Sequence, residues 1–536
     1  VNLANQNFSS SKTDEQNARS HVGYYLIGQG RKELLGKIGY RYSPLESASI
    51  LFNKVPTLFY LLPIFTITIV SAKWILKLFP ELQNANAILY YFTALLITLI
   101  TSEFVILFTQ QIYALIIKPK PLPKLDLDQG IPSELATNVV IQTIFNDLDS
   151  VEKLIEAIEI RYLSNPHKNL YFGILADLPD SSTPNKIGDQ GLINFASQRI
   201  KDLNFKHGQE LFFIMFRERT YNSADNNYMG WERKRGKIHE FNQFVLGKET
   251  GFNFIVGDIS KIKQAKYVIT LDNDTKLPPK SAKKLIGAIA HPLNQAVVDP
   301  NTKIVSSGYA IMQPRMSTNS ESSYSSIFSY IFAGESGLDP YTRTVSDTYQ
   351  DLFHHGSYVG KGIYNIEAFE ASLENRFADN HLLSHDLIES CFAKCAIASD
   401  IELFDDFPSK YNSQSKRLHR WIRGDWQIID WLLPIVRGKK GTYKNPISLI
   451  SKWKIIDNLR RSLIPIAQFI LILIGYSLIT ERGHFLWTTS ILLLSSFSVL
   501  GVICSIFANL PIGFSASRWY SSLIIELYRV LRLIAL

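Results

Sequence analysis

Long apolar runs near both ends and a series of shorter ones between them divide this chain. Pro56 to Leu78 and Asn86 to Ile117 are each apolar enough, as helices, to cross a hydrocarbon layer of about 30 Å, and Ile464 to Thr480 with Leu486 to Ile506 form a second such pair. Between the pairs the periodicity changes. Asn138 to Phe145 carries a strand signal, Ser150 to Tyr162 repeats apolar positions at helical spacing, and Leu170 to Ala176 is apolar again and stops on Asp177. Leu211 to Phe216 and Tyr267 to Leu271 read as further strands. Strands alternating with helices predict βαβ units and a mostly parallel sheet, with its ligand crevice outside the carboxyl ends of the strands. Asp177 and Asp272 fall at such ends. The pattern thus predicts an α/β domain between transmembrane helical hairpins. Residues 1–55 form an N-terminal segment, 56–117 a hairpin and 118–450 the α/β domain; 451–536 holds an interfacial helix, a second hairpin and the start of a further amphipathic or membrane helix.

Charge sharpens this picture. The formal net charge of +8 could suggest nucleic acid, but Lys and Arg cluster beside the apolar runs, in Arg31 to Lys54, in Lys118 to Lys124 and from Arg437 to Arg461. The short connections Phe79 to Ala85 and Glu481 to Phe485 hold almost none. The positive-inside rule then leaves 1–55, 118–463 and the tail after 507 on the cytoplasmic side of an inner membrane, with a lipid bilayer and no nucleic acid as partner. Lys73 and Glu103 interrupt the first two runs; snorkelling would accommodate the first and a facing helix the second. Buried core helices are the competing reading of the same runs. Cys391, Cys395 and Cys504 form no even disulfide framework and lack the second half of a zinc site, which fits buried thiols in a reducing compartment. The chain begins on Val1 and ends inside an apolar run, as expected of a piece of a longer protein, and shows no signal-peptide pattern.

The candidate chemistry starts at Leu271-Asp-Asn-Asp-Thr-Lys-Leu277. Asp272 and Asp274, at spacing i, i+2 on extended backbone, point to the same side and raise one another's pKa unless a cation lies between them. Mg2+ or Mn2+, shared with substrate phosphates, would resolve the conflict; an Asx-turn ending the strand is the competing reading. Downstream, Ser384-His-Asp386-Leu-Ile-Glu389 opens an amphipathic helix with Ser384 as cap, which would hold a carboxylate near a helix N-terminus, as a general base requires. An ordinary acidic first turn explains the same residues. From Gln414 to Trp426, four cations and two indoles crowd thirteen residues. Arg binds phosphate bidentately and Trp packs on a sugar face, so an anionic sugar donor competes here with a basic membrane-surface helix.

Taken in order, Asp177, Lys237 in Arg233-Lys-Arg-Gly-Lys237-Ile-His-Glu-Phe-Asn242, Asp272-x-Asp274, His385-Asp386 and Arg417-x-x-Arg420-Trp421 resemble the motif set of membrane-embedded, inverting GT-A (Rossmann-like) glycosyltransferases. Within that group HVGYYLIGQGR from His21, WERKRGKIHEFN, LDNDTKLP, YQDLF with GKGIYNIEAF, and HRWIRGDWQ are similar to the transferase domain of cyclic β-1,2-glucan synthases. The resemblance implies inverting transfer from a UDP-glucose donor to a growing glucan acceptor. Asp272 and Asp274 would hold a divalent ion on the diphosphate, Asp177 the uridine, and Lys237 with Arg420 and Trp421 would close over the donor. Asp386 would take the acceptor proton. Arg417 stands where cellulose-synthase-like enzymes carry Gln, and Ser384-His385-Asp386 where they carry Thr-Glu-Asp, so the acceptor contact of Arg417 differs while the final Asp is kept. The family starts its glucan on the protein itself, and Tyr341, in the Gly- and Pro-punctuated loop Ala333 to Arg343, is the expected first acceptor; Tyr349 and the serines of Ser317 to Ser326 compete. The family's phosphorylase-like domain is not within this chain, so further domains of the same longer chain are expected. A polysaccharide synthase of another linkage would share every catalytic motif, and a non-catalytic membrane scaffold would require the carboxylates to be incidental.

Overall fold

The computed structural model describes residues 1–6, 19–28, 30–43, 54–117, 121–333, 347–382 and 385–495, with scattered positions between 515 and 528. An eight-stranded sheet forms its centre. In chain order the strands are β1 (Thr137–Ile144), β2 (Leu170–Asp177), β3 (Phe212–Arg217), β4 (Phe252–Val256), β5 (Tyr267–Leu271), β6 (Ile311–Thr318), β7 (Gly362–Asn365) and β8 (Cys395–Asp405). Across the sheet they lie in the order β8-β6-β7-β5-β1-β2-β3-β4. The inner strands are buried on both faces, which is why their sequences are nearly continuous in Val, Ile, Phe and Tyr rather than alternating.

Register explains where the polar residues collect. β1 runs parallel to β2, with Ile144 opposite Asp177, and parallel to β5, with Ile141 opposite Leu271, so Asp177 and Asp272 leave the sheet at one edge. β6 and β8 pair in parallel across a register shift after Pro314. The expected mostly parallel sheet is mixed in its outer part, because β7 is antiparallel to both β5 and β6, and β4 is antiparallel to β3. This reversal has a consequence for the site. β7 enters the sheet opposite Thr270, so it delivers its leading residues Gly360 and Lys361 to the edge where β5 ends.

The helices that matter for the site are α1 (Pro56–Lys77), α2 (Ala87–Ile116), α3 (Leu148–Ser164), α4 (Arg233–Val245), α5 (Asp386–Ala393), α6 (Tyr411–Gln427), α7 (Leu449–Leu478) and α8 (Glu481–Ser495). Among the described residues α1, α2 and α7 are long and apolar enough to cross a membrane. They pack around Ala72, Ile97, Ile100, Leu471 and Trp487 while Leu62, Val70, Trp74, Leu95 and Phe469 face outward. Gly475 lets α8 approach, since a Cβ there would lie 2.1 Å from the buried Trp487 indole.

Two expectations change at the second hairpin. The apolar run beginning at Ile464 is the end of a longer helix that starts at Leu449, where Ser448 caps it by accepting from the Ser451 N–H. Its first half packs Ile455 and Leu459 against Ile388, Phe392 and Trp431 of the α/β unit. The expected connection Glu481 to Phe485 is itself helical and opens α8; the run to Ile506 continues outside the described residues. Glu103 faces another helix, as its position in an apolar run requires: Arg460 Nη2 of α7 lies 2.6 Å from its carboxylate, and Asp457 shares the same guanidinium. A short helix, Thr348–Phe353, seats the α/β unit on these helices through Tyr349, which packs on Tyr60 and Trp453. Cys391 and Cys395 are free and buried.

Candidate active site

The Asp272–Thr275 turn is held from behind. Arg161, buried on α3, donates to the carbonyls of Asp272 (3.3 Å), Asn273 (2.8 Å) and Thr275 (2.7 Å), and Asp272 N–H donates to the Thr275 hydroxyl at 3.3 Å. Backbone carbonyls are thereby satisfied without the Asp272 carboxylate, which is taken by two lysines. Lys234 Nζ lies 2.8 Å from Oδ1 and Lys361 Nζ 3.0 Å from Oδ2. Burial would raise the pKa of Asp272, but the two ammonium groups outweigh it and hold it well below the usual carboxylate range. Lys361 also pairs with Asp405 at the end of β8, whose other oxygen accepts from Thr275 at 2.7 Å.

Asp274 is in a different state. Burial, Asp405 and Asp272 push its pKa up against the opposing charges of Lys361 and Arg417. A half-buried carboxylate beside two others is a site where a hard cation gains and a proton is otherwise taken up. Carboxylate oxygens are the ligands Mg2+ and Mn2+ take, and because both Asp272 oxygens meet lysines here, a cation on Asp272 and Asp274 would share that carboxylate with Lys234 and Lys361.

Asp386 opens α5, where the helix N-terminus favours negative charge. The expected cap, Ser384, lies outside the described residues, and His385 precedes the helix without a side-chain capping bond. Gly360, at φ +80°, passes against the Asp386 carboxylate; a Cβ there would lie 2.8 Å from Oδ1. The Gly360 carbonyl accepts from Lys234 at 3.4 Å. Lys234 thus stands between Asp272 and the Gly360 loop that packs against Asp386, and the charges of both aspartates raise its pKa against burial.

Asp177 and Lys237 form a second, deeper group. Arg217 donates to both Asp177 oxygens at 2.8 and 2.9 Å, and Lys237 Nζ lies 2.9 Å from Oδ2 and donates to the Thr143 carbonyl at 2.5 Å. Burial lowers the Lys237 pKa to about 8 despite Asp177, because Arg217 shares the same carboxylate. Burial would raise Asp177, but Lys237 and Arg217 together hold it low. On α6, Arg417 stacks over the Trp421 ring at 4.7 Å and donates to the Asp406 carbonyl at 3.3 Å, while Arg420 and Trp421 lie on the exposed face.

Asp272, Asp274, Asp386 and Arg417 thus gather at one edge of the sheet, and Asp177 with Lys237 lies buried beside them under α4. Tyr341 lies outside the described residues. Tyr349, its competitor, is 2 % exposed. Reading the sequence alone missed Lys234, Lys361, Asp405, Arg161 and Arg217. Lys361 stands between two glycines in GKG and Lys234 in the basic run RKRGK, so each had a local signal; Asp405, Arg161 and Arg217 carry none, since only the tertiary fold brings them to the edge.

No family model matches the chain. Over 471 residues, 87% of its length, it is 36% identical to the cyclic β-(1,2)-glucan synthase NdvB of Rhizobium meliloti (strain 1021). The chain is homologous to a segment of a cyclic β-(1,2)-glucan synthase. It spans 16% of that protein's length. The cyclic β-(1,2)-glucan synthase resemblance carried by the motifs is therefore borne out for this segment, across the α/β unit and the apolar helices together.

Proposed function

We propose that this chain is the membrane-embedded glucosyltransferase segment of a cyclic β-1,2-glucan synthase. It transfers glucose from UDP-glucose, with inversion, to a growing glucan. The observation that supports this best is the convergence of Asp272, Asp274 and Asp386 at the carboxyl edge of the sheet, in a chain homologous to a glucan synthase. The α/β unit is then a GT-A domain. The outward apolar faces of α1, α2 and α7 meet lipid, and the α/β unit lies on the cytoplasmic side of an inner membrane. The remaining activities of the synthase belong to further domains of the longer chain.

In this reading Asp386 accepts the proton of the acceptor hydroxyl as that oxygen attacks the anomeric carbon from the face opposite the leaving group. With one base and no enzyme nucleophile, an α-linked donor gives a β-linked product. Lys234 and Lys361 hold Asp272 in place. When bound to Asp272 and Asp274, Mg2+ or Mn2+ would offset charge on the departing diphosphate. Asp177 would hold the uridine, and Lys237, one helical turn from Lys234, would close over the donor. Arg417, Arg420 and Trp421 of α6 would bind the donor's phosphates and sugar. Tyr341 is the first acceptor this reading assigns, and Tyr341→Phe should abolish hexose labelling of the protein on the 334–343 peptide, as measured by mass spectrometry.

Linkage analysis of the product from UDP-glucose tests the assignment. β-1,2 linkages are expected, and a product of any other linkage would reassign the chain to a different polysaccharide synthase.

A further inference from the structure

Asp386 and Glu389 lie three residues apart in the first turn of α5, so the two carboxylates share one helix face. His385 stands against both. Its Nδ1 is 2.9 Å from Glu389 Oε1 and 3.6 Å from Asp386 Oδ1. The imidazole and Glu389 are buried, whereas the Asp386 side chain keeps 24% of its surface exposed. From α4, Lys234 faces the same carboxylates, though its ammonium is tied to Asp272. From the segment before β7, Tyr358 faces them too, with its hydroxyl 2.9 Å from the Thr270 hydroxyl, and Tyr364 of β7 lies behind Glu389. Burial would strip the proton from His385, but Glu389 and Asp386 outweigh burial and Lys234 and raise its pKa.

We propose that His385 is a positioning residue for the general base: as an imidazolium shared by Glu389 and Asp386, it offsets the repulsion between the two carboxylates and fixes Asp386 against Gly360. This rests on the assignment of Asp386 as base. Glu389 lies nearer the imidazole than Asp386 does, and Nδ1 hydrogen-bonds to neither, so the pairing is electrostatic.

The test is the pH profile of glucosyl transfer by the full chain. His385→Gln keeps a donor but loses the charge, and an opposite charge within about 4–6 Å is worth at least about one pH unit. Its acidic limb should move up by about that much, so turnover falls up to about tenfold on the acidic side and recovers at higher pH, with an unchanged KM for UDP-glucose. His385→Gln combined with Glu389→Gln should restore the wild-type limb, since one carboxylate needs no such offset. His385→Arg, which keeps a cation, should retain it. A uniform loss at all pH values, with no rescue by the second substitution, would overturn the proposal, as would a limb that moves in His385→Arg. Asp386→Asn separates the two levels: a variant that still turns over refutes the base assignment itself, whereas an inactive Asp386→Asn beside an unmoved limb in His385→Gln refutes only the role of His385.

Discussion

Asp272 and Asp386 are carboxylates of one cluster with opposite surroundings, and those surroundings suit different work. Asp272 is pinned by Lys234 and Lys361 and stays ionised over the working pH range, as a ligand or electrostatic anchor should. Asp386 sits at a helix N-terminus against a glycine, open on one side, as a proton acceptor should. Asp386→Asn is expected to keep UDP-glucose affinity while lowering turnover at least about a hundredfold, measured by donor titration alongside transfer rate. Asp274→Asn should instead remove most divalent-dependent donor binding in a folded protein. Unchanged donor affinity in that variant would take the metal away from Asp274. The carboxylates were legible from the chain because each ends a strand or opens a helix. Their counter-cations were not, because Lys361 reaches Asp272 only through the reversed direction of β7 and Asp405 only through the pairing of β8 with β6.

At the scale of elements, periodicity located β1, β2, β3, β5 and α3 to within a residue or two, since each is buried as a unit and its apolar pattern has nothing to compete with it. It failed on α7, where polar residues of the first half hid a continuous helix. Lys454 there is buried and donates to the carbonyls of His355 and Gly356, which a hydropathy reading scores as surface. His355 beside it is held neutral. Burial, with Lys454, lowers its pKa from 6.5 to about 3. A histidine depressed in the folded state stabilises above its unfolded pKa and loses that contribution as pH falls from about 6.5 toward 3. The thermal midpoint of the extracted chain should therefore drop over that window, and His355→Gln should flatten the drop. In the apolar layer, Gly475→Ala would drive a methyl into the Trp487 indole. Overpacking of this kind costs about 1–3 kcal/mol, seen as a lower midpoint with an unaltered KM for UDP-glucose.

In the whole molecule, one continuous helix and one aromatic seat join the α/β unit to the apolar helices. α7 runs from the core beneath α5 into the apolar layer, where Arg460 meets Glu103, and Trp426 of α6 donates to Ser462 on the same helix at 3.1 Å. The site and the apolar layer are thus in direct packing contact. The proposed transfer of glucose from UDP-glucose is tested most directly by release of UDP from the purified, membrane-extracted chain. With UDP-glucose and Mg2+ or Mn2+, the wild-type chain should release UDP in step with β-linked hexose product, and Asp386→Asn should not. Wild type releasing no more UDP than Asp386→Asn would contradict the account.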